Sequence, residues 1–176
     1  MSVVKMLHDA GKLELNNTFL LDTVYEGITG SIAYGCNNDM SDQDIYGICM
    51  LPLDMAFPHR KGFIKGFGPA PEYFETLNQH HIQHKDKEYD ISILSIVKFF
   101  DLAAQNNPNI VDVLFLPQRC VLHESSIGKH IRANRRMFLH KGAMQKFLGY
   151  AHSQFKKMEN KTPSRKTKRT GRKVWC

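Results

Sequence analysis

The chain has no run of 18 apolar residues, and its opening MSVVKMLHDAGKLE lacks a basic stretch followed by an apolar core. Neither a membrane span nor a signal peptide is expected, and a cytoplasmic setting follows. Cysteine is sparse and scattered, at positions 36, 49, 120 and 176, with no C-x-x-C pair. That spacing argues against a zinc or disulfide framework and for reduced structural thiols. No segment repeats.

Charge of one sign is missing from most of the molecule. The net charge is +7, but nine of the 24 Lys and Arg lie between Lys156 and Cys176 beside a single acid, Glu159. Residues 1–155 are therefore nearly neutral, with a length and a 42% hydrophobic content that suit one domain with a real core. Residues 156–176 form a basic, irregular tail rich in Ser, Thr, Pro and Gly, able to neutralise polynucleotide phosphates or simply to stay solvated.

The most pointed pattern is Gly30 to Asp44, GSIAYGCNNDMSDQD. Residues i and i+2 of a strand share a face, so Asp42 and Asp44 can present both carboxylates to one hard cation while Gln43 faces away. Upstream, Val24–Ile28 reads as a strand, and Thr29-Gly30-Ser31 opens a short helix. Free amides and a small side chain there let a phosphate come close.

Other elements follow from periodicity. Residues 3–10 fit a short amphipathic helix, Asp42–Met50 a second strand, and 53–78 a Gly-, Pro- and aromatic-rich excursion in which Phe63, Phe67 and Phe74 either stack on a base or close the core. A third strand is predicted over Gln83–Asp90, with Ser92 or Ser95 leading into a helix on Ile93, Ile96, Val97, Phe100 and Ala103. Asn107 and Pro108 suit a helix start. Ser125 or Ser126 opens another helix through SIGKHIRANRRMF, whose Arg132, Arg135 and Arg136 read as a solvated face. The last helix carries Met144, Phe147, Leu148, Ala151, Phe155 and Met158 as a core stripe. His80, His81 and His84 cluster tightly, and on a strand His80 and His84 would share a face that could bind a transition metal, yet a third and fourth ligand are not evident. Asp39 reads as a turn or cap residue.

A strand, Gly-Ser, a short helix and a strand bearing Asp-x-Asp resemble the nucleotidyltransferase fold shared with DNA polymerase β. GSIAYG followed by SDQDIYGI resembles, more narrowly, the RNA-ligase-associated nucleotidyltransferases of bacteria and phages. EYDISILSIVKFF, NNPNIVDVLFLP and AMQKFLGYAHSQFKKM extend the likeness across about residues 20–160. Members usually carry a polar residue where this chain has Ile32, and usually continue further. The resemblance implies an α/β (α+β) architecture, a small mixed β-sheet flanked by α-helices, in a domain of residues 1–155 followed by the tail.

It also implies chemistry. Asp42, Asp44 and Asp90 would be the catalytic carboxylates holding Mg2+ or Mn2+, with Asp86, Glu88 and Asp101 as alternatives for the third position. Gly30 and Ser31 would grip the nucleotide phosphates. The reaction would move a nucleoside monophosphate from an NTP, ATP among the candidates, to a hydroxyl acceptor such as an RNA end. An RNA or DNA acceptor could be held through the tail. A partner chain or homo-oligomer could complete the pocket. The competing reading is a nucleotide- or nucleic-acid-binding module that kept the fold and lost turnover.

Overall fold

The computed structural model describes residues 2–38, 41–69 and 71–160, and a mixed five-stranded sheet organises them. Its strands are β1 (Thr23–Ile28), β2 (Gln43–Cys49), β3 (Thr76–His84), β4 (Lys87–Ser95) and β5 (Val121–Glu124), in the spatial order β3-β4-β2-β1-β5. β2 and β4 are parallel, and the remaining neighbours are antiparallel. The helices are α1 (Val3–Asp9), α2 (Gly30–Tyr34), α3 (Leu53–Ala56), α4 (Ile96–Ala104), α5 (Pro108–Leu114), α6 (Ser126–Ala133) and α7 (Ala143–Glu159). The expected mixed sheet flanked by helices is what the chain forms.

Alternation along the strands splits the core in two. Ile45 and Cys49 of β2 and Tyr89, Ile91 and Ile93 of β4 face Val4 and Leu7 of α1, with Leu13 and Leu20 alongside. Ile48 and Leu94 face the other way, against Phe99 and Ala103 of α4, Ile110, Val113 and Leu114 of α5, and Ile131 of α6. Gly128 lets α6 lie on β1, because a Cβ there would collide with the carbonyl of Val24.

The N-terminus is tied to the sheet by a buried carboxylate. Glu26 is fully buried in β1 and accepts from Ser2 Oγ (2.5 Å), the Val3 amide (2.6 Å) and Thr23 Oγ1 (2.5 Å). Ser2 Oγ in turn accepts from the Lys5 amide and caps α1. A negative side chain thus meets the positive end of the helix with its hydrogen bonds made, the condition under which a buried charge is tolerated.

Several expectations need correction. The predicted strand over Gln83–Asp90 is a hairpin, because Lys85 and Asp86 adopt φ of 49° and 61° and turn β3 into β4. Two consecutive positive-φ residues make a tight two-residue turn, but Lys-Asp lacks the glycine that usually signals one. β4 runs to Ser95, so Ser95 rather than Ser92 caps α4 and Ile93 belongs to the strand. The buried face of α4 is consequently Phe99 and Ala103, while Val97 and Phe100 are exposed. The stripe on α7 is not core: no residue of the helix is buried, and Met144, Leu148 and Phe155 are 64%, 59% and 59% exposed. Periodicity shows that a face is apolar; it does not show that anything covers it.

Other details hold. Asn107 caps α5 with Pro108 in its first turn, Ser125 caps α6, and among the described residues Cys36, Cys49 and Cys120 are in no disulfide. Lys156 to Glu159, expected to open the irregular tail, instead belong to α7, while residues 161–176, which include Cys176 and most of the basic tail, lie outside the described residues, as does Asp39. Replacing Glu26 with Leu strands the Ser2, Thr23 and Val3 donors. It should cost roughly 2–4 kcal/mol in urea unfolding, and a loss below the error of that measurement would show that the anchor does not hold the fold.

Candidate functional site

Strand register brings the candidate carboxylates together. In the parallel pair Asp44 of β2 lies directly opposite Asp90 of β4, on adjacent strands about 4.8 Å apart. Both point to the face shared with Ile48 and Leu94, near the strand starts. Asp42 lies one residue before β2, exposed, and near enough for its charge to act on Asp44.

Gly30 and Ser31 form the first turn of α2, which follows β1 directly. The Thr29 amide donates to the Asp44 carbonyl at 2.8 Å, extending the β1–β2 pairing to the mouth of that helix. Gly30 has φ of 61°, and a Cβ on it would overlap Oδ2 of Asp44. Only glycine meets both demands, and the Asp44 carboxylate therefore rests against the helix start. Further along, Tyr34 Oη donates to Asp112 of α5 at 2.5 Å and Arg119 donates to the Ala33 carbonyl at 3.2 Å, pinning α2.

The site is electrostatically strained. Burial pushes the Asp44 carboxyl above its ordinary range, and the negative charges of Asp90 and Asp42 push it further; His80 opposes them. Asp90 behaves oppositely. Burial raises it, but hydrogen bonds from the His81 amide and the His80 ring, with the charge of both rings, outweigh that and hold it low. Crowded carboxylates of this kind are what a bound cation relieves.

The alternatives for the third carboxylate occupy other places. Asp86 is in the hairpin turn, Asp101 binds Gln105 on α4, and Glu88 pairs with the His81 ring and Gln83. His80 and His84 do not present a shared metal face, because a bulge between Gln79 and Ile82 breaks the alternation. Among the described residues, the one trio of His, Cys or acidic ligand atoms all within 4.8 Å of one another is His81, Glu88 and Asp90. Asp42, Asp44 and Asp90 are thus spread more widely.

Arg132 is no solvated surface residue, since it pairs with Glu124 at 3.3 Å and donates to the Leu116 carbonyl. Arg135 stacks over Phe115 at 5.2 Å. Of the excursion aromatics, Phe74 packs edge-on against Phe19 in the core, while Phe67 is exposed at the rim of a groove of about 410 Å³. Sequence reasoning missed the Asp90 contacts of His80 and His81. The signal was present as two adjacent histidines on an edge strand, but only the bulge makes both face one aspartate.

A model of the RNA repair pathway DNA polymerase beta family matches residues 11–171. The chain belongs to that family. No curated protein gives a match. The family assignment agrees with the mixed sheet, with α2 opening directly off β1, and supports a nucleotidyltransferase-type role. Among the described residues no helix is long and apolar enough to cross a membrane.

A raised folded-state pKa at Asp44 means that the folded protein holds this proton more tightly than the unfolded chain. Its stabilising contribution is complete below the ordinary carboxylate pKa and is lost as pH rises through the raised folded-state value. At pH 7 in EDTA, Asp44→Asn should therefore raise the melting midpoint, by roughly 1–4 °C. It should also remove the stabilisation that Mn2+ gives the wild type. A lower midpoint in the metal-free variant would show that Asp44 is structural.

Proposed function

We propose that the chain is a cation-dependent nucleotidyltransferase that moves a nucleoside monophosphate from an NTP to a hydroxyl acceptor, and that the acceptor is an RNA end. The observation that carries this reading is Asp44 opposite Asp90 in a parallel pair, with the Gly30-Ser31 turn against the Asp44 side chain. Three carboxylates supply the hard oxygen ligands that Mg2+ or Mn2+ takes, with no soft thiolate among them.

Bound divalent ions would supply charge stabilisation for the attacking and leaving oxygens of an in-line displacement. In this reading Asp42 and Asp44 would hold a divalent cation. Asp90 serves the position near the acceptor and takes the proton of the attacking hydroxyl. Gly30 lets the phosphates approach the first amides of α2, and Ser31 offers its hydroxyl to a phosphate oxygen. The acceptor oxygen bonds to the α-phosphorus as the bond to the bridging oxygen breaks, and pyrophosphate leaves. RNA as acceptor is supported by the family description and by seven Lys and Arg within residues 161–176.

Incubation with each labelled NTP, Mg2+ or Mn2+ and a panel of RNA, DNA and protein acceptors tests this reading. Labelled RNA is the expected product, and Asp42→Ala and Asp44→Ala should each fall to background while remaining folded. Near-normal turnover in either variant would refute the assignment. Deleting residues 161–176 should raise the dissociation constant for a single-stranded oligoribonucleotide and flatten its dependence on salt, because fewer counterions are released. An unchanged salt slope would remove the tail from RNA binding.

A further inference from the structure

The bulge in β3 has a specific geometry. Gln79 pairs with Ile91 and Ile82 with Tyr89, so two residues of β3, His80 and His81, oppose the single residue Asp90. Both are used. The His80 ring contacts Oδ2 of Asp90 through Nδ1 at 3.0 Å, and the His81 amide donates to Oδ1 at 2.8 Å. The second contact depends on His81 adopting φ of 59°, a conformation that a non-glycine residue rarely takes and that is found where a strand must re-aim a group. His84, two residues past the bulge, makes no such contact with Asp90.

We infer that His80 is a positioning residue of the nucleotidyl-transfer centre, its Nδ1–H and the His81 amide together clamping the Asp90 carboxylate from the β3 side and fixing its orientation in the register position beside Asp44. This rests on the reading above, in which Asp90 serves a cation. The clamp occupies one acceptor site on each carboxylate oxygen and leaves the others for the ion. Such outer partners fix the direction of a ligand and raise its affinity for metal. Neutral imidazole with its proton on Nδ1 is sufficient, since the Asp90 oxygens can only accept. The His80 side chain is 57% exposed, so substitution there leaves the core intact. Asp90, at 22%, is sheltered enough for its orientation to be set by the clamp.

The test is binding of Mn2+ alone, read by calorimetry and by the paramagnetic resonance of free Mn2+, with a melting curve in EDTA as the folding check. Four chains are compared: wild type, Asp90→Asn, His80→Phe and His80→Asn. Phenylalanine keeps the ring without the donor, whereas asparagine returns an N–H close to the position of Nδ1. The expected pattern is weaker Mn2+ binding by about tenfold or more in His80→Phe, recovery to within about threefold in His80→Asn, and unchanged melting in both. If His80→Phe binds Mn2+ like the wild type while Asp90→Asn does not, the clamp is overturned. If His80→Asn binds as poorly as His80→Phe, the hydrogen-bonding role is overturned. If Asp90→Asn binds Mn2+ normally, or the wild type does not bind it, the reading of Asp90 itself fails. That failure is distinct from the other two, and it takes the inference with it.

Discussion

The parallel pairing of β2 with β4 is the constraint on which the rest of the molecule depends. A parallel neighbour cannot be reached by a tight turn, so the chain spends residues 50–86 leaving β2, crossing the excursion and building β3 before it returns as β4. The pairing then fixes register. A slip of one residue would send Asp44 or Asp90 to the α1 side of the sheet and bring Ile45 or Ile91 out of the core. The burial of Ile45, Ile91 and Ile93 therefore holds the two carboxylates side by side. The hydrophobic effect resists the repulsion that the charges create.

The two ends of the site are supported by different physics. On the β1 side the support is steric and backbone-based: Gly30 leaves room for the Asp44 carboxylate, and Thr29 keeps the two strands paired to their limit. On the β3 side it is polar: a bulge turns two histidines onto Asp90 and lowers its proton affinity while that of Asp44 is raised. Proton affinities displaced in opposite directions on neighbouring carboxylates fit the cation site proposed above.

Much of this was legible in the sequence, for identifiable reasons. Gly30-Ser31 and Asp42-x-Asp44 lie close together along the chain, so local geometry alone places them, and the alternation that buries Ile45 and Ile48 on opposite faces is a short-range property. Asp90 could be named but not separated from Asp86 and Glu88, because the turn at Lys85-Asp86 carries no glycine. That turn decides which acidic residue falls opposite Asp44. The bulge was illegible because it exists only relative to the partner strand. The exposed stripe of α7 misled for a related reason: an apolar face is written in one helix, whereas its burial depends on another element. Arg132 misled in the opposite direction, since its partner Glu124 lies on a neighbouring strand and turns an apparently free cation into an internal tie.

The crowding of Asp42, Asp44 and Asp90 has a meaning for how the sequence can drift. In the metal-free protein the charge on Asp44 is held at a cost to folding, whereas that on Asp90, gripped by its β3 partners, is held with a gain. Selection for folding alone would not favour a charge at Asp44. Gly30 is tied to the same choice in part: its missing side chain leaves room for the Asp44 carboxylate, while its positive φ would disfavour a side chain even without one. Folding by itself gives no reason for a carboxylate at Asp44, whereas the cation site proposed above does.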